Sequence, residues 1–257
     1  MLLFRFILVL FPSLLVGAPF DHTYSSWNRL LNESVSEGLV DYKGFQKQEK
    51  DFNAFLSSLT QVSLAEYSSF KNAEKIAFLI NSYNAFTIRL ILDHYPIKSI
   101  TEIGGPFAKI NLARGAPWKK EFFELLGQKR HLDWIEHEKL RKDFKEPRMH
   151  FAIVCASIGC PELANEAYRP DKLEEQLKAA KTKFLKVSSK NRYDSNANVL
   201  YLSPIFDWFK ADFIKDSTLI EFVQDTFPVK IKPDALIEYT DYSWKLNEWK
   251  KPHSESK

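Results

Sequence analysis

The sequence predicts an α+β fold: a single mixed domain, helix-rich, with a small, mainly antiparallel sheet formed largely by the second half of the chain. Three observations support this prediction. Apolar residues recur with helical spacing in five segments, strand-like runs come mostly after residue 148, and no Gly/Ser-rich or Pro-rich linker divides the chain. The 257 residues, 45% of them apolar, suffice for a substantial core.

The individual elements follow from hydrophobic periodicity and composition. Residues 74–93 (EKIAFLINSYNAFTIRLILD) are apolar nearly all round, which predicts a helix buried in the core. Amphipathic patterns predict further helices at residues 118–126, 132–144, 171–187 and 204–223. Runs of β-branched and aromatic residues predict strands at residues 149–157, 198–202, 229–231 and 237–242.

The first residues have the composition of an export signal. Arg5 precedes an apolar run over residues 6–15, and the small residues Gly17 and Ala18 suit a cleavage site. The run is shorter than the roughly 20 residues that span a bilayer, and Pro12 interrupts it. We therefore expect a removable signal peptide and a mature chain without an integral membrane segment.

The expected organisation is a signal peptide at residues 1–18, one globular domain at residues 21–249 and a flexible tail at residues 250–257. The mature protein is expected in the periplasm or the extracellular space. The net charge is +3, or +2 once Arg5 is removed, and no block of five or six like charges is found. This balance excludes the basic surface expected of a nucleic-acid-binding protein.

Two carboxamides lie within the apolar helix predicted at residues 74–93. With 3.6 residues per turn, Asn81 and Asn84 fall on one line of that helix. An unpaired buried amide costs roughly 1–3 kcal/mol, so each amide must bond a backbone group, a buried water or a ligand. Asn81 and Asn84 are therefore candidates both for structural hydrogen bonding and for lining a site.

A histidine and two carboxylates lie on the helix predicted at residues 132–144. Asp133 and His137 share a face at i, i+4 spacing, and Glu136 precedes His137 directly. A carboxylate one turn from an imidazole can fix its tautomer and raise its pKa, as a general base requires. Solvated helix faces also carry such pairs, so Glu136 and His137 are site candidates with that alternative open.

Residues 148–161 (RMHFAIVCASIGCP) combine an apolar run with several reactive side chains. On the regular strand predicted here, His150 faces the opposite side from Cys155 and Ser157. A base that serves Cys155 is then expected from elsewhere, and His137 is the best available candidate. Cys155 and Ser157 would lie at the carboxyl end of the strand, where sheet proteins tend to build sites.

Cys155 and Cys160 are the two cysteines of the chain, and three states are open to them. An oxidising compartment favours a disulfide, and the four intervening residues allow the Cα atoms to come within about 7 Å. The alternatives are a free, reactive Cys155 and two inert buried thiols. Zinc is disfavoured because two cysteines with unspaced histidines match no recurrent ligand pattern. We expect neither a metal nor a cofactor.

Several separated segments together resemble one known family. AFLINSYNAFTI, LDWIEHEKLR, RMHFAIVCASIGCP, SPIFDWFKADF and IEYTDYSWKLN occur in the order seen in the domain-of-unknown-function 547 family, whose activity is not established. The resemblance covers nearly all of residues 21–249. The positions that match its motifs are Asn81, Tyr83, Asn84, Glu136, His137, Arg141, Arg148, His150, Cys155, Ser157, Cys160, Asp207, Trp208, Asp212, Asp241, Tyr242 and Trp244. Ser243 departs from the family motif, which weakens a role for Trp244.

The first functional hypothesis is a thiol-dependent hydrolase or acyl transferase. Its cleft would be formed by the asparagine helix, the His137 helix and the end of the Cys155 strand. Cys155 would attack a carbonyl, and His137 would accept and return the proton, with His150 as the second candidate histidine. Asn81 or Asn84 would orient the imidazole or donate to the oxyanion.

The second hypothesis is a binding module without chemistry. A disulfide between Cys155 and Cys160 would be part of the site. Arg141, Arg148 and the buried amides would then grip an anionic or peptide ligand. In both hypotheses the partner is an unidentified small molecule or peptide, and the state of the two sulfur atoms distinguishes them.

Overall fold

The computed structural model of the chain describes residues 19–103, 115–215 and 217–249. Within these ranges the fold is α+β, as predicted: helices dominate, and short strands form small sheets of two or three strands. The expected signal peptide and tail lie outside the described residues. No helix in the described part of the chain is long and apolar enough to cross a membrane.

The amino-terminal part is a group of helices around one long core helix. These helices are α1 (Ser25–Ser34), α2 (Tyr42–Lys47), α3 (Glu49–Thr60), α4 (Leu64–Ser69) and α5 (Asn72–Leu92). A short hairpin, β1 (Val35–Ser36) and β2 (Leu39–Val40), separates α1 from α2. A 3-10 turn, Ile100–Glu102, follows α5.

The helix predicted at residues 74–93 is confirmed as α5. Fifteen of its 21 residues are buried, which is the outcome expected for a helix that is apolar nearly all round. The helices α2 and α3 pack against it, and α1 packs on both of them, so α5 lies within the larger apolar cluster.

The middle of the chain contains a hairpin where a helix is predicted. Its elements are α6 (Ala116–Lys119), β3 (Phe123–Leu125), β4 (Gln128–Arg130), α7 (Trp134–Leu140), α8 (Arg141–Asp143) and a 3-10 helix, Pro147–Phe151. The prediction of a helix at residues 118–126 is wrong after Lys119, where α6 ends. Leu126 and Gly127 both have positive φ and close a two-residue hairpin turn, which ends any helix there.

The carboxyl-terminal part supplies the three-stranded sheet. Its elements are α9 (Leu173–Leu185), β5 (Arg192–Asp194), β6 (Val199–Leu202), α10 (Ile205–Trp208), α11 (Lys210–Phe213), α12 (Leu219–Gln224) and β7 (Leu236–Tyr239). β5 pairs antiparallel with β6, and β6 pairs parallel with β7. Residues 229–231 are not a strand, and the helix predicted at residues 204–223 is three short helices.

Two apolar clusters meet near the end of the chain. The larger surrounds α5, and the smaller joins Phe151, Phe184, Phe206 and Phe213 with β6. Tyr242 packs against both clusters, so the segment after β7 lies where they adjoin.

Candidate functional site

One cleft of about 620 Å³ is lined by residues of α5, α7, α10 and the segment after β7. The predicted site residues that line it are Glu136, His137, His150 and Cys155. The side chains that matter for its chemistry also include Tyr83, Trp118, Lys119, Asp133, Cys160, Trp208, Phe209, Tyr242 and Trp244. Residues far apart in sequence therefore converge on one cavity.

Asn81 and Asn84 are hydrogen-bonded to backbone and do not line this cleft. Asn81 Nδ2 donates to the Tyr168 carbonyl at 2.7 Å, and Tyr168 N donates to Asn81 Oδ1 at 3.0 Å. Asn84 Nδ2 donates to the Ala152 carbonyl, and Val154 N donates to Asn84 Oδ1, both at 2.9 Å. Each amide uses both of its ends, so neither is placed to orient an imidazole or to donate to an oxyanion.

The strand predicted at residues 149–157 is wrong. Its first part is the 3-10 helix Pro147–Phe151, which begins where the Glu146 carboxylate accepts from Arg148 N. The next backbone groups bond Asn84 instead of a neighbouring strand. Strand alternation therefore does not apply, and His150 and Cys155 line the same cleft instead of facing opposite sides.

Cys155 and Cys160 form a disulfide, with the Cα atoms 6.3 Å apart. This is the first of the three states that the sequence leaves open. The backbone N–H of Cys155 also donates to Cys160 Sγ at 3.0 Å. In this state neither sulfur is a nucleophile.

The Tyr242 hydroxyl contacts the disulfide loop. Its hydroxyl lies 3.2 Å from Cys155 Sγ, 3.1 Å from Cys160 Sγ and 3.1 Å from Ser157 Oγ. Ser157, a predicted binding residue, is thus engaged within the loop. Gly159 lies so close under the Tyr242 ring that a Cβ there would be 2.8 Å from ring atoms. Burial raises the pKa of Tyr242 well above its usual value.

A chain of charged and imidazole groups begins at His137 and His150 in the cleft and continues to Arg141 and Asp212, which do not line it. Asp212 accepts from Arg141 Nε at 2.6 Å and from Arg141 Nη2 at 3.1 Å, and it lies 2.7 Å from His150 Nε2. Arg141 Nη1 lies 2.8 Å from His137 Nδ1. Burial lowers the pKa of His150, whose ring stacks on Phe209 at 4.1 Å. Neutral His150 therefore donates its Nε2 proton to Asp212 and leaves Nδ1 with a lone pair.

Glu136 is the buried carboxyl group of this cleft, 7% exposed. Tyr83 donates to its Oε2 at 3.2 Å, while Oε1 lies 4.0 Å from His150 Nδ1, which is too long for a hydrogen bond. Burial, together with the nearby Asp133, raises the pKa of Glu136 to about 7. Glu136 can therefore exchange a proton near neutral pH.

His137 is not placed to act as the base for Cys155. Because a guanidinium only donates, Arg141 occupies the lone pair of His137 Nδ1, and the neutral ring carries its proton on Nε2, 3.8 Å from Asp133. Burial lowers the pKa of His137. The hydrogen-bonding contacts of Cys155 Sγ are Ser157 and Tyr242. The predicted Cys155–His137 couple is thus absent from the described contacts.

The two candidate arginines are neutralised within the chain. Arg141 is paired with Asp212, as described above. Arg148 bonds the carboxylates of Glu146 and Glu174 at 2.6–2.7 Å and does not line the cleft. Both arginines that were predicted to bind an anionic ligand are therefore already paired with carboxylates of the chain.

Four aromatic residues, Trp118, Trp208, Tyr242 and Trp244, form an aromatic wall along the cleft. Trp208 stacks on Trp244 with centroids 5.9 Å apart, and Tyr242 lies 4.8 Å from Trp208 and 4.6 Å from Trp244. Trp208 is 48% exposed. Aromatic residues are ordinary core material, so neither composition nor periodicity predicts this wall. The sequence indicates it only through Trp208, Tyr242 and Trp244, which match the later motifs of the family that the chain resembles.

In the described ranges no group of three or more His, Cys, Asp or Glu side chains is arranged to hold a metal ion. The side chains that line the cleft can exchange a proton at Glu136 and can make apolar contacts with a ligand along the aromatic wall.

Comparison with known proteins gives a family and no activity. Residues 67–185 match the model of a family described as protein of unknown function, DUF547. No curated protein and no solved structure matches the chain.

Proposed function

We propose that the chain, whose residues 67–185 match the DUF547 family, is an exported binding module. Its cleft holds a small molecule or a peptide side chain that presents a flat apolar face. The observation that carries this proposal is the aromatic wall, with Trp208 half-exposed, beside a disulfide that leaves no free thiol in the cleft. Exposed aromatic surface beside a cavity is typical of recognition sites.

Export is part of the proposal. The apolar run that follows Arg5 has the composition of a removable signal. A disulfide between Cys155 and Cys160 supports it, because such bonds persist in oxidising compartments and are rare in the cytosol.

A thiol-dependent hydrolase is the competing function. It requires a reduced Cys155 and a proton acceptor within hydrogen-bond reach. The sulfur atom of Cys155 lines the same cleft as His137 and His150, which is the observation in its favour. Tyr242, the titratable side chain that contacts this sulfur, has a raised pKa and is a poor base at neutral pH.

Thiol titration of the purified mature protein distinguishes the two functions. Under denaturing conditions without reductant, we expect no free thiol per chain. Two free thiols, one of them reacting rapidly with iodoacetamide at neutral pH, would contradict the binding module. If a probe with an electrophilic carbonyl then labels the wild type but not Cys155→Ala, the protein is a thiol-dependent hydrolase with Cys155 as its nucleophile.

Ligand-observed NMR with a library of small ring compounds tests the cleft itself. We expect some ring compounds to bind the wild type. Their affinity should fall at least about tenfold in Trp208→Ala, because large aromatic side chains are common binding hot spots. Tyr239→Ala is the matched control, because Tyr239 is 38% exposed and does not line the cleft. Equal binding by wild type and Trp208→Ala would contradict the proposed site.

A further inference from the structure

We propose that the ligand of this cleft carries an ammonium cation, held between the carboxylates of Asp133 and Glu136 and the aromatic wall. The inference rests on the proposed binding function and adds the charge of the ligand to it. It follows from three features of the cleft: carboxyl groups without a hydrogen-bonded cation, their burial, and the aromatic rings that line the same cavity.

Neither carboxyl group accepts a hydrogen bond from a cationic side chain in the described part of the chain, although Lys119, His137 and His131 lie near enough to Asp133 to act on its charge. Arg141, whose charge acts on Glu136, is paired with Asp212. Glu136 Oε1 has its nearest imidazole nitrogen at 4.0 Å, and Asp133 Oδ1 lies 3.8 Å from His137 Nε2. Neither distance is a hydrogen bond. Both carboxyl groups therefore keep acceptor capacity directed at the cavity that they line.

Burial makes this unbalanced charge costly, and a ligand cation would offset the cost. The side chain of Glu136 is 9% exposed and that of Asp133 is 17% exposed. A carboxylate removed from water without a partner is unfavourable, whereas one that faces a bound cation regains the lost interaction. Binding of a neutral molecule would leave this penalty in place.

The aromatic wall suits the same cation. Ring faces attract an alkylammonium group electrostatically, and several rings around one cavity form a recurrent way of binding quaternary ammonium groups. Trp208, Tyr242 and Trp244 have centroids within 4.6–5.9 Å of one another and line the cavity together with both carboxyl groups. Lys119, which is exposed and lines the same cleft, carries a positive charge that would repel a bound cation.

The affinity for a cation should rise with pH. Several groups face Glu136: Tyr83 from α5, Asp133 on the same helical segment, His150 from the 3-10 helix, and Arg141 and Asp212 as a neutralised pair. Burial raises the pKa of Glu136 to about 7, so its carboxylate forms between pH 6 and pH 8. Burial also raises the pKa of Asp133, which His137 from α7, Lys119 from α6 and His131 face with opposite charge. Deprotonation of either group adds negative charge to the cavity.

Calorimetric titration with choline and with its neutral isostere, 3,3-dimethylbutan-1-ol, tests the inference on the full mature chain. We expect choline to bind at least about tenfold more tightly than the alcohol at pH 8, and this preference to fall by a similar factor at pH 6. Phosphatidylcholine vesicles and trimethyllysine amide, which carry the same ammonium group, then distinguish a lipid headgroup from a modified side chain.

Two variants locate the charge. We expect Glu136→Gln to weaken choline binding without changing that of the alcohol, and Lys119→Gln to strengthen choline binding. If Glu136→Gln does not fold, the pH dependence of the wild type gives the same test. Equal binding of choline and the alcohol at pH 8 would overturn the ammonium inference but leave the binding module intact. If neither probe binds and no ring compound binds in a Trp208-dependent way, the proposed function fails as well.

Discussion

At the scale of single residues, Asn81 and Asn84 hold α5 to the loops that build the cleft. Each side-chain amide makes one donated and one accepted bond with backbone, to Tyr168 for Asn81 and to Ala152 and Val154 for Asn84. The Asn84 bonds replace the sheet ladder that the loop after Phe151 lacks, and they position the backbone that leads into the disulfide. The Asn81 bonds instead fix the segment at Tyr168 against α5.

Replacing Asn81 by Ala should destabilise the fold. The change leaves a buried N–H and a buried carbonyl of Tyr168 unpaired, and each such group costs about 1–3 kcal/mol. We expect the free energy of unfolding in urea to fall by about 2–4 kcal/mol. The control is Asn32→Ala, since Asn32 is exposed and bonds only its own helix. A loss no larger than that of the control would contradict this role.

Helical periodicity predicts that these two asparagines are buried, but it does not predict which groups they bond. The spacing of 3.6 residues per turn places Asn81 and Asn84 in the apolar stripe from sequence alone. Tyr168 is 87 residues further along the chain, and local patterns carry no information on such a contact. The sequence therefore leaves the structural and functional readings open at this point, and tertiary contacts decide between them.

At the scale of elements, α7 places the titratable groups. Its seven residues have π-helical pitch, an arrangement that is frequent at functional sites. All three side chains line the cleft, where Glu136 is buried and His137 and Asp133 are partly exposed. The helix is predictable from its amphipathic pattern, but its pitch is not, and the pitch affects which side chains share a face.

Replacing Glu136 by Gln should change the pH dependence of stability. Glu136 has a pKa of about 7 when folded, against an ordinary value of 4.5, because burial disfavours its charge. Between these values the folded state binds the proton and the unfolded state does not, so the stability from this group falls as pH rises through the window. We expect Glu136→Gln to gain about 1–3 kcal/mol relative to wild type between pH 5 and pH 8.

Urea denaturation at several pH values measures this difference. His150, whose pKa is lowered by burial, acts in the opposite direction below pH 6.5, but it is present in both proteins and cancels in the comparison. Glu138→Gln is the matched control, since Glu138 is exposed on the same helical segment. A pH-independent difference for Glu136→Gln would show that Glu136 is ionised in the folded protein throughout this range.

The elements that sequence predicts best are those whose own residues decide their structure. α5 is apolar over several turns, and burial follows directly from that pattern. The run over residues 149–157 has strand composition, yet the Ala152 carbonyl and the Val154 N–H bond Asn84. Within the described residues its strand pairing is limited to an isolated bridge from Ser157 to Leu246. Strand formation depends on an available neighbour, which composition does not reveal.

At the scale of the whole molecule, the cleft is assembled from segments that are distant in sequence, from Tyr83 to Trp244. The family match at residues 67–185 contributes α5, α7 and the disulfide, whereas Asp212 and most of the aromatic wall come later in the chain. Asp212 on α11 joins these parts, because it bonds Arg141 from α8 and His150 from the 3-10 helix. The geometry of the site therefore depends on contacts between distant segments.

Replacing Asp212 by Asn should loosen this junction. Although burial opposes it, the hydrogen bonds from His150 and Arg141 hold the pKa of Asp212 well below its usual value, so its carboxylate is charged in the folded protein. The variant leaves the Arg141 guanidinium, whose side chain is 27% exposed, without a counter-charge. We expect the free energy of unfolding at pH 7 to fall by about 1–3 kcal/mol, because partly buried charges lose less than fully buried ones.

The sign of the pH dependence identifies the cause of this loss. A carboxyl group with a depressed folded pKa stabilises the protein above its unfolded pKa, and this stabilisation is lost as pH falls below about 4. The gap between wild type and Asp212→Asn should therefore be constant near neutral pH and narrow in acid. Asp207→Asn is the control, since Asp207 is exposed on α10 and forms no ion pair in the described chain. If both variants lose the same stability, the Arg141–Asp212–His150 contacts do not couple the two ends of the site, and the cleft is instead held by apolar packing alone.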